Sequence, residues 1–264
     1  IAPRNAILQT VCFGEQTTCF DIATVESGIR QEFCCVSQNL YTIPRRVQNG
    51  ETYMELPEPR LSASALAPVQ KNLCRPESIH VLSDGTFAAS CRGRGVSLFD
   101  DTGAQHDLGP ENAVANGHEL IPNGIAPQAD GSFLLANIGE GGGIWRLGAE
   151  GALTPHLMEV DGVHLAAANF VMTDALGRTW ITVSTTSLPR FDAYSDEVAN
   201  GLLILQDDQG ARILADDIAF ANECRLAPDG GGLVIAETFG RCVTRFDLEG
   251  NTLSNRRVLA QFGQ

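Results

Sequence analysis

The chain has 264 residues, 44% of them hydrophobic and 19% charged, a composition that folds and a length that suits one large domain or two small ones. A net charge of -14 with no Lys/Arg cluster repels phosphate backbones and argues against a nucleic-acid partner, and no apolar run approaches the ~18 residues of a membrane-spanning helix. The 27 glycines fall mostly at turns between short apolar runs, which points to an all-β architecture.

Residues 1–70 differ from the rest. They hold short β-like runs at Glu32–Val36 and Glu51–Leu56, interrupted by Pro44, Pro57, Pro59 and Pro68. No copy of the later repeat occurs there, so this part reads as a leader or degenerate blade, and residues 71–264 as a separate unit. Eight cysteines are present, with no Cys-x-x-Cys pair to suggest a zinc cage. Cys12, Cys19, Cys34 and Cys35 could form disulfides in a secreted protein. The preferred reading is buried or free thiols in a cytosolic chain.

From Arg75 the sequence repeats. Residues 77–90, 123–137, 169–184 and 222–237 align without gaps over their first nine positions. Each begins with Glu or Asn (Glu77, Asn123, Asn169, Asn222) and carries Gly eight residues later, at Gly85, Gly131, Gly177 and Gly230. Asp precedes that glycine in all but the third, and Asp-Gly between apolar runs marks a hairpin turn. A further strand and turn follow at residues 95–103, 143–151, 201–210 and 241–250. A period near 46 residues, with about four short strands in each, is the pattern of β-propeller blades. The third repeat is longer, with an insertion around residues 185–200.

Equivalent positions in successive blades are related by rotation about the propeller axis. If the first strand of each segment is innermost, the four anchors face the central channel at one end. Carboxylate and amide oxygens converging there suit a hard cation such as Ca²⁺. The competing reading of an Asn at a strand start is a turn cap.

The motifs Arg75-Pro-Glu77, Pro122-Asn-Gly-Ile125 with Asp130-Gly131, Ala168-Asn-Phe170 with Gly177-Arg178, and Asn222-Glu-Cys-Arg225 with Pro228-Asp-Gly230 and Ala236-Glu-Thr238 resemble the senescence-marker-protein-30/gluconolactonase/luciferin-regenerating-enzyme family. The resemblance runs from Arg75 to Phe262. It implies a six-bladed propeller, about four blades of it recognisable here, with one divalent metal in the channel and hydrolysis of lactones or, in some relatives, phosphorus esters. Glu77, Asn169 and Asn222 fall on metal-ligand positions of the family, and Glu77 is the expected catalytic carboxylate. Asn123 would line the same mouth and touch substrate. The family's remaining ligand, an Asp in a following blade, has no counterpart before Gln264, so the ring is expected to be incomplete and a homodimer to cover its open faces.

Other chemistries fit less well. There is no G-x-S-x-G elbow, and the glycine run 139–143 lacks the Lys-Ser/Thr of a P-loop. His118 and His164 each lie five residues before an anchor Asn, which makes them candidate substrate-binding residues and proton shuttles at the mouth, against the plainer reading of exposed loop histidines. A cation in the channel would polarise a lactone carbonyl. The alternative function is a non-enzymatic propeller that serves as a binding platform.

Overall fold

The computed structural model describes residues 70–263, together with the backbone of four short strands before them: β1 (Thr10–Val11) paired with β2 (Phe20–Asp21), and β3 (Arg45–Gln48) paired with β4 (Glu51–Met54). The predicted run Glu32–Val36 and the four cysteines of the first 35 residues lie outside the described residues.

Four consecutive four-stranded antiparallel sheets follow, each with its strands in sequence order. The first is β5 (Ile79–Val81), β6 (Phe87–Cys91), β7 (Gly95–Phe99) and β8 (Gln105–Asp107). A small hairpin, β9 (Val114–Ala115) with β10 (His118–Glu119), leads to the second sheet. That sheet is β11 (Pro122–Pro127), β12 (Phe133–Asn137), β13 (Ile144–Leu147) and β14 (Leu153–Leu157). A matching hairpin, β15 (Glu159–Val160) with β16 (Val163–His164), leads to β17 (Ala168–Thr173), β18 (Thr179–Val183), β19 (Gly201–Asp207) and β20 (Gly210–Ile218). The last sheet is β21 (Ala221–Leu226), β22 (Gly232–Glu237), β23 (Cys242–Glu249) and β24 (Thr252–Gln261). These are the four blades expected from the repeat. The one helical element in them is a 3-10 turn, Arg190–Ala193.

The glycine at fixed offset is required by the first hairpin of each blade. Gly85, Gly131, Gly177 and Gly230 all have positive φ, between 70° and 90°, and each donates its N–H to the carbonyl three residues back. The preceding Asp closes the turn: the Oδ1 atoms of Asp84 and Asp229 accept the N–H two residues on, at 2.9 Å. In blade 3, where Leu176 replaces that Asp, Asp174 takes over. Its Oδ1 accepts the N–H of Leu176 at 2.9 Å and of Arg178 at 3.0 Å, and its Oδ2 accepts Trp180 Nε1 at 3.0 Å.

Apolar side chains fill the spaces between blades. Ile125, Leu135, Trp145 and Leu147 pack with Ala88 and Val96 between blades 1 and 2. Val171, Ile181 and Ile204 pack with Leu134 and Ile144 between blades 2 and 3. Phe170, Trp180 and Leu203 pack with Cys224, Leu233 and Phe246 between blades 3 and 4. Both tryptophans thus serve as inter-blade core, and each large side chain fully buried there contributes about 1.5–3 kcal/mol. Cys74, Cys91, Cys224 and Cys242 are free thiols, and burial pushes the Cys224 thiol up to about 12, which makes it an inert core group.

Candidate metal centre in the central channel

The innermost strand of blades 2, 3 and 4 is broken by a β-bulge at its anchor. The ladder slips between Pro122 and Ile125 on β11, between Ala168 and Phe170 on β17, and between Ala221 and Cys224 on β21. Asn123, Asn169 and Asn222 all sit in the slip. A bulge leaves a residue outside the regular pairing and re-aims its side chain. The backbone therefore prepares the same departure three times over.

The anchors of blades 2 and 3 meet. Asn123 Nδ2 donates to Asn169 Oδ1 at 2.9 Å, and both residues are buried. Asn169 Nδ2 donates in turn to Ser184 Oγ at 2.8 Å, and Ser184 donates to the carbonyl of Ala221, also at 2.8 Å. Thr182 donates its hydroxyl to the carbonyl of Asn222. The chain of contacts crosses three inner strands and fixes the Asn169 amide with its oxygen toward Asn123. One lone pair of that oxygen is used, and the second is available. The Asn222 amide makes no hydrogen bond among the described residues.

Glu77 lies just before β5. Its N–H donates to Ser90 Oγ at 2.9 Å, and its carboxylate pairs with Arg75 at 3.3 Å. Ser90, Asn137, Ser184 and Glu237 lie at matching places in successive blades, within one residue of the end of the second strand, and all four are buried. Three of them fasten the chain entering the inner strand of their own blade: Ser90 Oγ accepts the N–H of Glu77, Asn137 Oδ1 that of Ile121, and Glu237 Oε2 that of Ala219, whereas Ser184 holds the Asn169 side chain. The aligned segments end on these polar residues, so the repeat contained this signal.

Two further charged groups enter the channel from β21. Regular alternation from Asn222 would turn Glu223 to the opposite face of β21. Asn222 and Glu223 both fall in the slip, and Glu223 pairs with Arg225, two residues on, at 3.6 Å. Burial pushes its carboxyl up to about 7; Arg225 opposes the shift and the Glu77 charge adds to it. His80, on β5, contacts the carbonyl of Ile125 through Nε2 at 2.7 Å, and burial lowers it to about 4. Among the described residues no three His, Cys, Asp or Glu side chains come together. A cation held here would rest largely on amide oxygens, with Glu77 as the carboxylate.

His118 and His164 lie in the two small hairpins, on β10 and β16, and both are exposed. The insertion of blade 3 leaves at the anchor end, because Val183 at the end of β18 pairs with Ala168 at the start of β17. It runs both ways from there. Arg190 Nη1 donates to the carbonyl of Ile138 in blade 2 at 2.9 Å. Tyr194 packs on Phe220 and Phe239, at 5.3 and 5.2 Å, and Asp196 pairs with Arg241 at 3.0 Å, all in or beside blade 4.

A family model described as the SMP-30/gluconolactonase/LRE-like region matches residues 93–264. Asn123, Asn169 and Asn222 lie inside that range and Glu77 before it. Among solved structures, the chain is similar to a gluconolactonase from Xanthomonas campestris, at 21% identity over 67% of this chain and 59% of that one, with a TM-score of 0.54. It is similar to a calcium-binding protein, regucalcin, from Agrobacterium tumefaciens, at 18% identity over 71% and 60%, also with a TM-score of 0.54. A luciferin-regenerating enzyme aligns at 18% identity over 72% and 62%, with a TM-score of 0.53. No curated protein matches. The chain thus spans about three-fifths of the length of these solved structures. At such identities the likeness concerns the fold, a β-propeller of the six-bladed type.

Proposed function

The chain belongs to the SMP-30/gluconolactonase/LRE-like family, and from that premise we propose that it is a metal-dependent hydrolase of lactones or related esters, with phosphotriesters as possible further substrates. The observation that carries the reading is the contact between Asn123 and Asn169, two anchors 46 residues apart in sequence that touch because both are bulged into the channel.

The residues present fit a hard cation. Asn169 is locked with its amide oxygen inward and a lone pair spare, Asn222 has an unengaged amide, and Glu77 adds a carboxylate whose charge is felt by Glu223 across the channel. Glu77, Asn169 and Asn222 would hold the ion, and Ca²⁺ suits such an all-oxygen set. When bound, it supplies a positive charge that polarises the substrate carbonyl.

The chain's own groups do the rest. Ser184 and Asn123 hold Asn169 in one orientation, so its position is set before substrate arrives. Asn123 presents the substrate side of the amide pair. A Glu77 oxygen takes a proton from the attacking water as the new carbon–oxygen bond forms, then returns it to the leaving oxygen as the ring bond breaks. The product is the open hydroxy acid.

The test is hydrolysis of a lactone panel and a phosphotriester by the chain, with and without a chelator and with calcium restored. Chelator-sensitive lactone hydrolysis supports the reading. A chain that binds lactones without turning any over, calcium present or absent, would instead be a binding platform.

A further inference from the structure

Three residues beyond each anchor lies a second tier of the inner strands: His80, Ala126, Met172 and Arg225. Arg225 is the cation in it. Its guanidinium carbon sits 4.4 Å from the centre of the Phe170 ring in blade 3, and Nη1 is 3.6 Å from Met172 Sδ. Its charge also acts on His80 in blade 1. The side chain starts on the inner strand of blade 4 and lies over Phe170 and Met172 of the inner strand of blade 3, one tier beyond the anchors.

The guanidinium is held but not satisfied. Nη1 donates to the carbonyl of Cys224 at 2.7 Å, and Phe170 clamps one face of the plane. Nη2 is buried and has no hydrogen-bond partner; Glu223 Oε2 approaches to 3.6 Å, an ion pair but too long for a hydrogen bond. A buried donor left unpaired costs about 1–3 kcal/mol, and more when charged. An acceptor oxygen on a ligand that displaces the Glu223 carboxyl from Nη2 would remove that cost. Arginine's planar fork suits a carboxylate in particular.

We propose that Arg225 is a specificity-determining residue that binds a carboxylate on the substrate, so that the preferred substrates are lactones or esters carrying a free carboxylate group rather than neutral ones. The proposal rests on the hydrolase reading and names the substrate class of the same channel. The anionic end lies on Arg225, while the carbonyl to be attacked lies at the anchor tier above. A site built to hydrogen-bond a substrate group discriminates strongly against analogues that lack it, because its own polar group is then left bare.

The experiment pairs D-glucarolactone, which bears a free carboxylate, with the neutral D-galactonolactone. Initial rates on the calcium-loaded full chain give the ratio of kcat/KM for the two. Calorimetric titration of the calcium-free chain with each lactone gives a binding ratio independent of turnover. The expected result is a ratio of at least tenfold in favour of the carboxylate, reduced tenfold or more in Arg225→Gln and partly kept in Arg225→Lys. If neither lactone is hydrolysed, the hydrolase reading fails, and the titration alone decides the role of Arg225. If Arg225→Gln does not fold, wild type and Arg225→Lys carry the comparison. Absence of a preference in wild type, or a preference undiminished in Arg225→Gln (or in Arg225→Lys where Arg225→Gln does not fold), overturns the proposal.

Discussion

Gly124 separates two inner strands that have no room between them. A Cβ placed there would lie 2.7 Å from Phe170 Cα, 2.8 Å from Val171 N and 3.0 Å from Phe170 Cδ2. Two of these neighbours are backbone, so no rotamer change relieves the clash. The shortfall from ordinary contact is about 0.7 Å, which Gly124→Ala must absorb by moving β11 away from β17. The neighbouring Asn123–Asn169 bond, now 2.9 Å, would stretch to about 3.6 Å and cease to be a hydrogen bond. Overpacking costs roughly 1–3 kcal/mol and the lost bond about 1 kcal/mol more. Together they amount to about 2–4 kcal/mol, or a fall in Tm of roughly 5–12 °C for a unit of this size. Lactone turnover should fall at least tenfold, since small displacements of a positioned group are costly. The assay is thermal unfolding by circular dichroism together with initial rates. Gly148→Ala serves as control: its Cβ would meet only the Ala152 carbonyl oxygen at 3.6 Å, and its backbone is not left-handed. If Gly124→Ala melts with the control and keeps its rate, the close approach does not hold the anchors and the reasoning is wrong.

Glu77→Gln should lower calcium content, measured by elemental analysis after dialysis, and reduce lactone hydrolysis at least tenfold; full metal and full activity would remove Glu77 from the centre. His80 is held neutral to about pH 4, well below the usual imidazole range. Its contribution to stability is therefore complete above about pH 6.5 and is lost as the pH falls toward 4, because the unfolded chain takes up the proton first; the whole loss is on the order of 3 kcal/mol. Glu223, raised to about 7, has the opposite pH dependence over the same range, so the readout is the difference between wild type and His80→Gln: by urea unfolding, that difference should be larger at pH 7 than at pH 5; a difference that does not change with pH would remove His80 from the pH dependence. Val258, Leu259 and Phe262, on and just after β24, are about half exposed. They are consistent in character with the homodimer expected from sequence, and sedimentation at micromolar concentration should find the dimer; a stable monomer would dismiss it.

The blades were legible because their signals are local. Gly85, Gly131, Gly177 and Gly230 are needed for positive φ, and apolar runs flank each of them. The anchors were legible because the same residue types recur at one offset from those glycines. What sequence did not reveal depends on pairing. A bulge is defined by the partner strand, so nothing at Asn123, Asn169 or Asn222 announced that the ladder slips there. The insertion of residues 185–200 was visible as a longer period. Its contacts with Ile138 on one side and Phe220 on the other join blades far apart in sequence, and no local pattern encodes them.

The bulge also separates two tasks that an ordinary strand residue must combine. Positions on either side of it, such as Phe170 and Cys224, are committed to the inter-blade core, where a change of even one methylene is felt. The bulged residue is excused from that packing. Its identity can drift from amide to carboxylate to imidazole while the blade around it stays intact. Where the bulged side chain makes no hydrogen bond among the described residues, as at Asn222, one chemistry can be exchanged for another by a single substitution at that offset with little cost to the core. That gives the repeat a reason to keep its irregularity in blade after blade: the defect in the ladder is where new reactivity can be sampled.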